Sequence, residues 1–553
     1  APTIKTRCDM RSGLAPPPVT SKPSHPAESL ACMSLTPARS RAASGFRLVK
    51  GGDGVYTPPT AMKKNVIVIG SGLGGLSAAI SLAQEGYAVT IHEKNAKIGG
   101  KLNVLKERGY TFDLGPSILT LPHLFERLFK RSGRTMSDYF TIRPLRPHWR
   151  NFFEDGTVVD LHPEADRMAE EARKVGEDPA NVQRFLKYSA DLYDLVNAGY
   201  FEQGLDTSGE FAKFYGFWKF PKFDLLRTMH GGVKRFLKTR HLQDVFDYFI
   251  KYVGSSAYHS PAFMNSLPTI QFRYDLWYVD GGLYNIALGL QRLMDELGVV
   301  VRLESEITEV CKQGARVTGV VTAKGVFHPA DLIVSNMEVI PAYEKLLRED
   351  ESLLRSLEKY EPSCSGLVLE LGLDCQYPQL AHHNFFFSDH QREHFHTVFR
   401  KRQLPPDPTI YLVAASKTDP TVAPPGCDCL KILPHIPHLD DDHPLTREDY
   451  LAFKERVVDK LERMGLKDLR RHTVFEHCWT PLDIRQQYYS NQGSIYGVVS
   501  DRFKNLAFKA PKQSTKYPNL FFVGGSVNPG GGMPMGGLCG LSVAKKGVAW
   551  DRC

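Results

Sequence analysis

Four glycines and one acid carry the clearest chemistry in the chain. In Gly70-Ser71-Gly72-Leu73-Gly74-Gly75, the residues Gly70, Gly72 and Gly75 have the spacing GxGxxG, with Gly74 as a further position lacking a side chain. That spacing permits a tight turn, brings backbone close enough to touch a pyrophosphate, and lets a helix pack hard on the preceding strand, its positive end toward the anion. Glu93 lies 23 residues after Gly70, where an acid accepts hydrogen bonds from ribose hydroxyls. A glycine-rich turn alone also serves as a plain connector. The acid at this distance, at the end of a second strand, makes dinucleotide binding the expectation.

The elements around these residues have the matching order. Val66–Ile69 is a short β-branched run, Leu76–Gln84 has helical spacing, and Ala88–His92 forms a second strand, which is a βαβ unit. Residues 160–270 turn helical and aromatic with basic residues interleaved. A second α/β stretch follows near 280–345: a helix from Tyr284 to Leu297, a strand from Val299 to Leu303, and the pair Val317–Thr322 and Asp331–Ser335. Residues 360–500 read as strands among polar, proline-rich loops, and 518–550 close with strand, glycine loop and helix. No repeat is evident.

At 553 residues the chain exceeds one hydrophobic core, so at least two domains are expected. The net charge of +8 is unevenly placed. Residues 1–61 hold eight Lys/Arg and three Asp/Glu, a net of +5, and the remainder has 61 against 58, a net of +3. A nearly neutral body argues against nucleic acid as a partner. The ten cysteines show no zinc-type CxxC pair, only Cys427-Asp428-Cys429 being close-set, so reduced thiols in a cytosolic protein and no metal site are expected. No run approaches the roughly 18 apolar residues of a spanning helix, so membrane contact is expected to be peripheral. Residues 1–61, rich in Pro, Ser, Ala and Arg, lack apolar periodicity and are expected to be disordered. Their composition resembles an organelle transit peptide, which would imply import, and also translated sequence upstream of a start at Met62. The second reading is favoured because Met62 lies so close to the first strand.

Which dinucleotide is decided further on. Ile98-Gly99-Gly100-Lys101 follows the acid, and Phe112-Asp113-Leu114-Gly115-Pro116-Ser117 follows that. With these segments the sequence resembles the FAD-dependent amine oxidase and phytoene desaturase superfamily. The stretch Asn519-Leu520-Phe521-Phe522-Val523-Gly524-Gly525-Ser526-Val527-Asn528-Pro529-Gly530-Gly531-Gly532-Met533-Pro534 resembles the closing signature of carotenoid desaturases of the phytoene desaturase type. Gly281-Gly282-Leu283 and Ala330-Asp331-Leu332-Ile333-Val334-Ser335-Asn336 are similar to further family segments, and the likeness runs from Met62 to the end.

The resemblance implies an α/β flavoprotein: an FAD-binding Rossmann-like domain of the glutathione reductase and amine oxidase type, with a discontinuous mixed α/β substrate domain. The FAD domain is expected over 62–150, 275–345 and 510–553, and the substrate domain over 151–274 and 346–509. By the same resemblance Lys94 follows the ribose acid, Gly99, Gly100 and Lys101 pass near the FAD phosphates, and Gly115, Pro116 and Ser117 lie near the flavin. Ile307, Gly524, Ser526, Gly532 and Met533 complete the cofactor's surroundings. The implied reaction is desaturation of a carotenoid precursor such as phytoene, diapophytoene or a hydroxycarotenoid, by hydride transfer from an allylic carbon to flavin, with electrons passed to oxygen or a membrane quinone. Carotenoid oxygenases or isomerases, retinol-saturase-like enzymes and amine oxidases share these motifs, and a GDI-like binding protein shares the architecture without catalysis.

Two departures stand out. Asn528 occupies a position where many members have His, which removes any proton transfer by that His, and Val279-Asp280 replace a Pro and a basic residue, so the pocket wall is expected to differ there. Asp224 roughly aligns with an acid of related desaturases and is the candidate catalytic residue, against the plainer reading of a solvated helix acid. Glu154 and Asp155 read as a hairpin turn. Residues 211–223 hold seven aromatics with Lys213, Lys219 and Lys222 interspersed, a composition suited to the headgroup boundary of a bilayer or to internal packing of a helix.

Overall fold

The computed structural model describes residues 64–552; the expected disorder, import signal or upstream origin of residues 1–61 lies outside them. The β-branched run Asn65–Ile69 forms the middle strand of a five-stranded sheet. Its neighbours are Ala88–His92 and then Val300–Arg302 on one side, and Leu332–Ser335 and then Leu520–Phe522 on the other, every pairing parallel. A parallel sheet must be covered on both faces, which explains why the middle strands are buried nearly end to end.

The helix Leu73–Gln84 begins directly after the first strand because Gly70, at φ +90°, turns the chain where a side chain would be strained. It packs against the closing helix Met533–Asp551. Gly540 makes that contact possible: a Cβ there would stand 2.4 Å from the Ala78 nitrogen, and the Ser77 hydroxyl donates to the Gly537 carbonyl at 2.5 Å. Chain segments some 460 residues apart are thereby held at backbone distance.

A second sheet runs in the order Thr473–Trp479, Val368–Leu373, Cys429–Ile436, Ile410–Ala414, His383–Phe386, Trp149–Phe152, Val158–Leu161. It is antiparallel except where Trp149–Phe152 runs parallel to His383–Phe386. The strand Trp149–Phe152 straddles residue 150, so the segment assigned to the FAD side hands its last residues to this sheet. Helices between residues 165 and 274 cover one face, burying Trp149, Phe185, Phe246 and Phe249 completely. The other face carries its own core under the helix Arg447–Arg463. Glu154 and Asp155 do sit in the turn between Trp149–Phe152 and Val158–Leu161, with Asp155 accepting from the Thr157 amide at 2.9 Å. No helix among the described residues is long and apolar enough to cross a membrane.

Candidate functional site

Three glycine segments converge on one wall. Gly72 bridges to Gly99 as a short parallel pair, and a Cβ on Gly100 would lie 3.0 Å from the Gly72 Cα. A Cβ on Gly74 would lie 3.0 Å from the Gly524 nitrogen. Gly75 is the packing glycine of the motif: a Cβ there would stand 2.2 Å from the Gly70 carbonyl, and its amide donates to Asn336 Oδ1 at 3.2 Å. Asn336 in turn donates to the Val523 carbonyl, so one side chain ties the first turn to the last.

Glu93 is buried, at 4% exposure, and its carboxylate is already oriented. One oxygen accepts from the Ser71 amide (2.8 Å) and hydroxyl (2.7 Å); the other accepts from the backbone and side-chain nitrogens of Asn95, both at 2.9 Å. Each oxygen thus already accepts two hydrogen bonds, so a ribose hydroxyl would share the carboxylate with these donors or displace one of them. The helices Leu73–Gln84 and Met533–Asp551 begin at this wall without a side-chain cap or an acid in the first turn, so their positive ends remain available to phosphate and to charge on a flavin.

These residues line a cavity of about 450 Å³, a size usual for ligand sites. Of the residues expected at the cofactor, Gly70, Gly72, Gly74, Glu93, Lys94, Gly99, Gly100, Lys101, Gly115, Pro116, Ser117, Ile307, Gly524, Gly532 and Met533 all line it. Gly75 and Ser526 stand behind the wall, Ser526 accepting from the Val339 amide at 3.1 Å. The two lysines are held rather than free. Lys94 donates to the Gln486 carbonyl and lies 3.5 Å from the centre of the Tyr489 ring, and burial lowers its pKa. Lys101 donates to the Ser494 carbonyl at 2.9 Å and pairs with Glu338. The turn at Gly115 and Ser117 is propped from below by Lys431, which donates to the Gly115 carbonyl and the Ser117 hydroxyl. Burial brings the Lys431 ammonium down to about 8, against the opposing pull of Glu370 and Asp113. Backbone turns, an oriented acid on the wall and two uncapped helix ends fit FAD.

The remainder of the cavity is built from side chains that motif reading missed. Val196, Phe201, Phe263, Met264, Ile270 and Leu433 give an apolar chamber, and Tyr252, Tyr411 and Tyr496 join it. Only the clustering of aromatics hinted at these. Lys251 also lines the chamber, and among the described residues it is the one lysine contributed there from outside the glycine segments.

Several expectations need correction. Asp224 is not on the cavity wall; it accepts from the Tyr188 hydroxyl at 2.9 Å and from Arg227 at 2.8 Å. It is not a solvated helix acid either, since it closes a 3-10 turn at φ +50° with its side chain largely covered. Val279 and Asp280 form no part of the wall: Val279 is buried in the core and Asp280 pairs with Arg143 at 2.6 Å. Asn528 is completely buried and makes four hydrogen bonds, accepting from the Lys509 amide and the Tyr200 hydroxyl and donating to the Asp206 and Lys509 carbonyls. It acts as a clamp on the closing loop. The aromatic stretch divides between both readings: Tyr215 and Phe223 are buried, whereas Trp218 is 93% exposed. Seven described cysteines are free. Away from the cavity, Asp374, Cys375 and His472 bring ligand atoms within 4.8 Å of one another.

Comparisons with known proteins give the family and the fold. The model of the family described as flavin containing amine oxidoreductase matches residues 73–546. The chain is 59% identical over 488 residues to a 4,4'-diapolycopene oxygenase of Methylomonas sp, covering 88% of this chain and 98% of the relative. It is 47% identical over the same length and shares to a 4,4'-diaponeurosporene oxygenase of Staphylococcus aureus. Among solved structures, cyclohexylamine oxidase from Brevibacterium oxydans superposes with a TM-score of 0.59 at 14% identity, covering 89% of this chain and all of the other. A fatty acid isomerase from P. acnes gives 0.57 at 16% identity, covering 87% and 97%. At such identities these two speak for the fold alone. The chain belongs to the flavin-containing amine oxidoreductase family and is an FAD-dependent oxidoreductase.

Proposed function

We propose that the protein oxidises a long acyclic carotenoid of the diapolycopene or diaponeurosporene type, introducing oxygen at its end. The observation that carries this reading is the continuity of one cavity from the glycine wall into an apolar, aromatic chamber. Bound FAD supplies a two-electron acceptor for hydride from a carbon next to the conjugated system. Glu93 holds the ribose, the glycine turns and helix ends hold the phosphates, and the chamber strips water from the polyene and aligns it. Among the described residues, no carboxylate from residues 151–274 or 346–509 lines the chamber. An ammonium substrate would find no counter-charge there, which sets an amine oxidase reading behind a polyene one. The identity to the two oxygenases favours oxygenation; the likeness of residues 519–534 to carotenoid desaturases supports desaturation as the second reading.

The substrate resides in membranes, so the protein is read as peripheral, with oxygen or a quinone as terminal acceptor. Trp218 and Leu226 are each 93% exposed and Phe503 is 77% exposed, with Arg502 donating to the Leu226 carbonyl between them. Lys213, Lys219 and Lys222 on the same stretch suit an anionic bilayer.

The test is purification followed by incubation with diapolycopene in liposomes. A yellow protein whose product gains oxygen supports the first reading, and a product that has lost two hydrogens supports the second. Protein without flavin, or flavin that no polyene reduces, refutes both and leaves a binding protein of the GDI-like kind.

A further inference from the structure

Five lysines are buried among the described residues: Lys251, Lys431, Lys460, Lys509 and Lys512. Four of them donate to oxygen. Lys431 meets Ser117 and Gly115, Lys460 meets Asp407 and the Phe387 carbonyl, Lys509 meets Ser500 with two carbonyls, and Lys512 meets Asp206. Lys251 differs. Its terminal nitrogen lies over four rings, 4.1 Å from the centre of Tyr411, 4.8 Å from Tyr252 and Phe385, and 4.9 Å from Trp149. Among the described residues it has no hydrogen-bonded oxygen and no ion pair, and it opens onto the cavity. The carbonyl of the adjoining Tyr252 lies 4.0 Å from where a Cβ on Gly532 would stand, at the start of the closing helix. The backbone beside Lys251 therefore runs next to the start of the closing helix.

A charged ammonium with no counter-ion is costly to bury, and burial drives this amine well below its ordinary pKa. The groups facing it do not restore the charge. Tyr252 and Tyr411 are held protonated by burial, while burial keeps His383 and His435, on the strands beneath, uncharged. The Tyr411 hydroxyl is engaged with His383 at 2.9 Å. A neutral lysine in an apolar pocket is a base.

We propose that Lys251 is the catalytic base of the site, taking the proton that the substrate releases after hydride transfer. The assignment rests on the polyene reading above. Once hydride has left for the flavin, the cation that remains must shed one proton. In oxygenation a lone pair of water forms the C–O bond, an O–H bond breaks with its electrons staying on oxygen, and the proton forms an N–H bond on Lys251. In desaturation the adjoining C–H bond breaks, its electrons become the new π bond, and the proton goes to the same nitrogen. In both cases amine becomes ammonium, and the four ring faces stabilise that charge without competing for the proton.

The test compares the flavin-loaded wild type with Lys251→Met and Lys251→Arg. Flavin content and melting temperature should be unchanged in Lys251→Met, which keeps the shape of the stem. Its flavin should still be reduced by diapolycopene, but loss of the proton from the cation that remains must slow: turnover should fall at least a hundredfold. Arg stays protonated and should not rescue it. Wild-type turnover should rise with pH through the amine's titration and level off, an inflection absent from Lys251→Met. An independent reading uses decanal with cyanoborohydride: peptide mapping should show Lys251 alkylated at pH 7 ahead of the surface lysines. Failure of the label at Lys251, or wild-type turnover and pH profile in Lys251→Met, overturns the base alone. Flavin-loaded wild type that oxidises no polyene overturns the proposed function and the base with it, even if decanal still labels Lys251.

Discussion

The two sides of the cavity are built from different materials. On the cofactor side the wall is backbone: Gly72, Gly74, Gly100 and Gly524 approach so closely that a methyl group on any of them would meet a neighbouring segment at 3.0 Å or less. On the substrate side the wall is side chain: rings and aliphatic groups from helices and strands dispersed between residues 196 and 496. A wall of backbone tolerates almost no change at fixed positions, because what it offers is proximity. A wall of apolar side chains offers volume, which many residue combinations supply.

This contrast orders the expected effects of mutation. Gly75→Ala drives a Cβ to 2.2 Å from the Gly70 carbonyl, and no flexible side chain is there to yield. We expect loss of FAD and destabilisation of about 3 kcal/mol or more, read by flavin absorbance and thermal unfolding; a yellow protein of normal stability would break the backbone-wall account. Asn528→Ala strands the buried Lys509 amide and Tyr200 hydroxyl and should cost about 2 to 3 kcal/mol. Flavin should nonetheless be retained at saturating concentration, because Asn528 does not line the cavity.

Glu93→Ala removes the ribose acceptor together with the partner of Ser71 and Asn95. FAD affinity should fall by about 1.5 to 3 kcal/mol, measured by titration of the apoprotein; unchanged affinity would refute the ribose assignment. Asp224→Asn should alter turnover least, within about twofold, since the residue serves Tyr188 and Arg227 away from the cavity. A collapse of turnover with flavin intact would return Asp224 to the reaction and weaken the case for Lys251.

The same contrast governs what could be read from residues alone. The strand, turn, helix and acid around Gly70 and Glu93 were legible because a phosphate-binding turn constrains neighbouring residues at short spacing, and the closing helix was legible from its own local pattern. Element ends shifted only slightly: the first helix begins at Leu73 rather than Leu76, and one strand is Val300–Arg302 rather than Val299–Leu303. Asp224 stands off the cavity wall, bonded to Tyr188 and Arg227, which alignment could not show because it fixes a position in sequence and not the direction of a side chain. Val279-Asp280 were read as a pocket feature, yet burial and Arg143 account for the pair, and the four hydrogen bonds of Asn528 could not be read from its replacing a His.

The sequence by itself determined the dinucleotide fold and the glycine turns that line the cavity, because those depend on local spacing and backbone freedom, and the family resemblance pointed to FAD. Only the tertiary structure decided that Asn336 joins the first turn to the last, that Lys101 pairs with Glu338, and that Lys251 stands among four rings without an acid. These depend on contacts between segments far apart in the chain, where desolvation and partner choice are set by packing and leave no periodic trace.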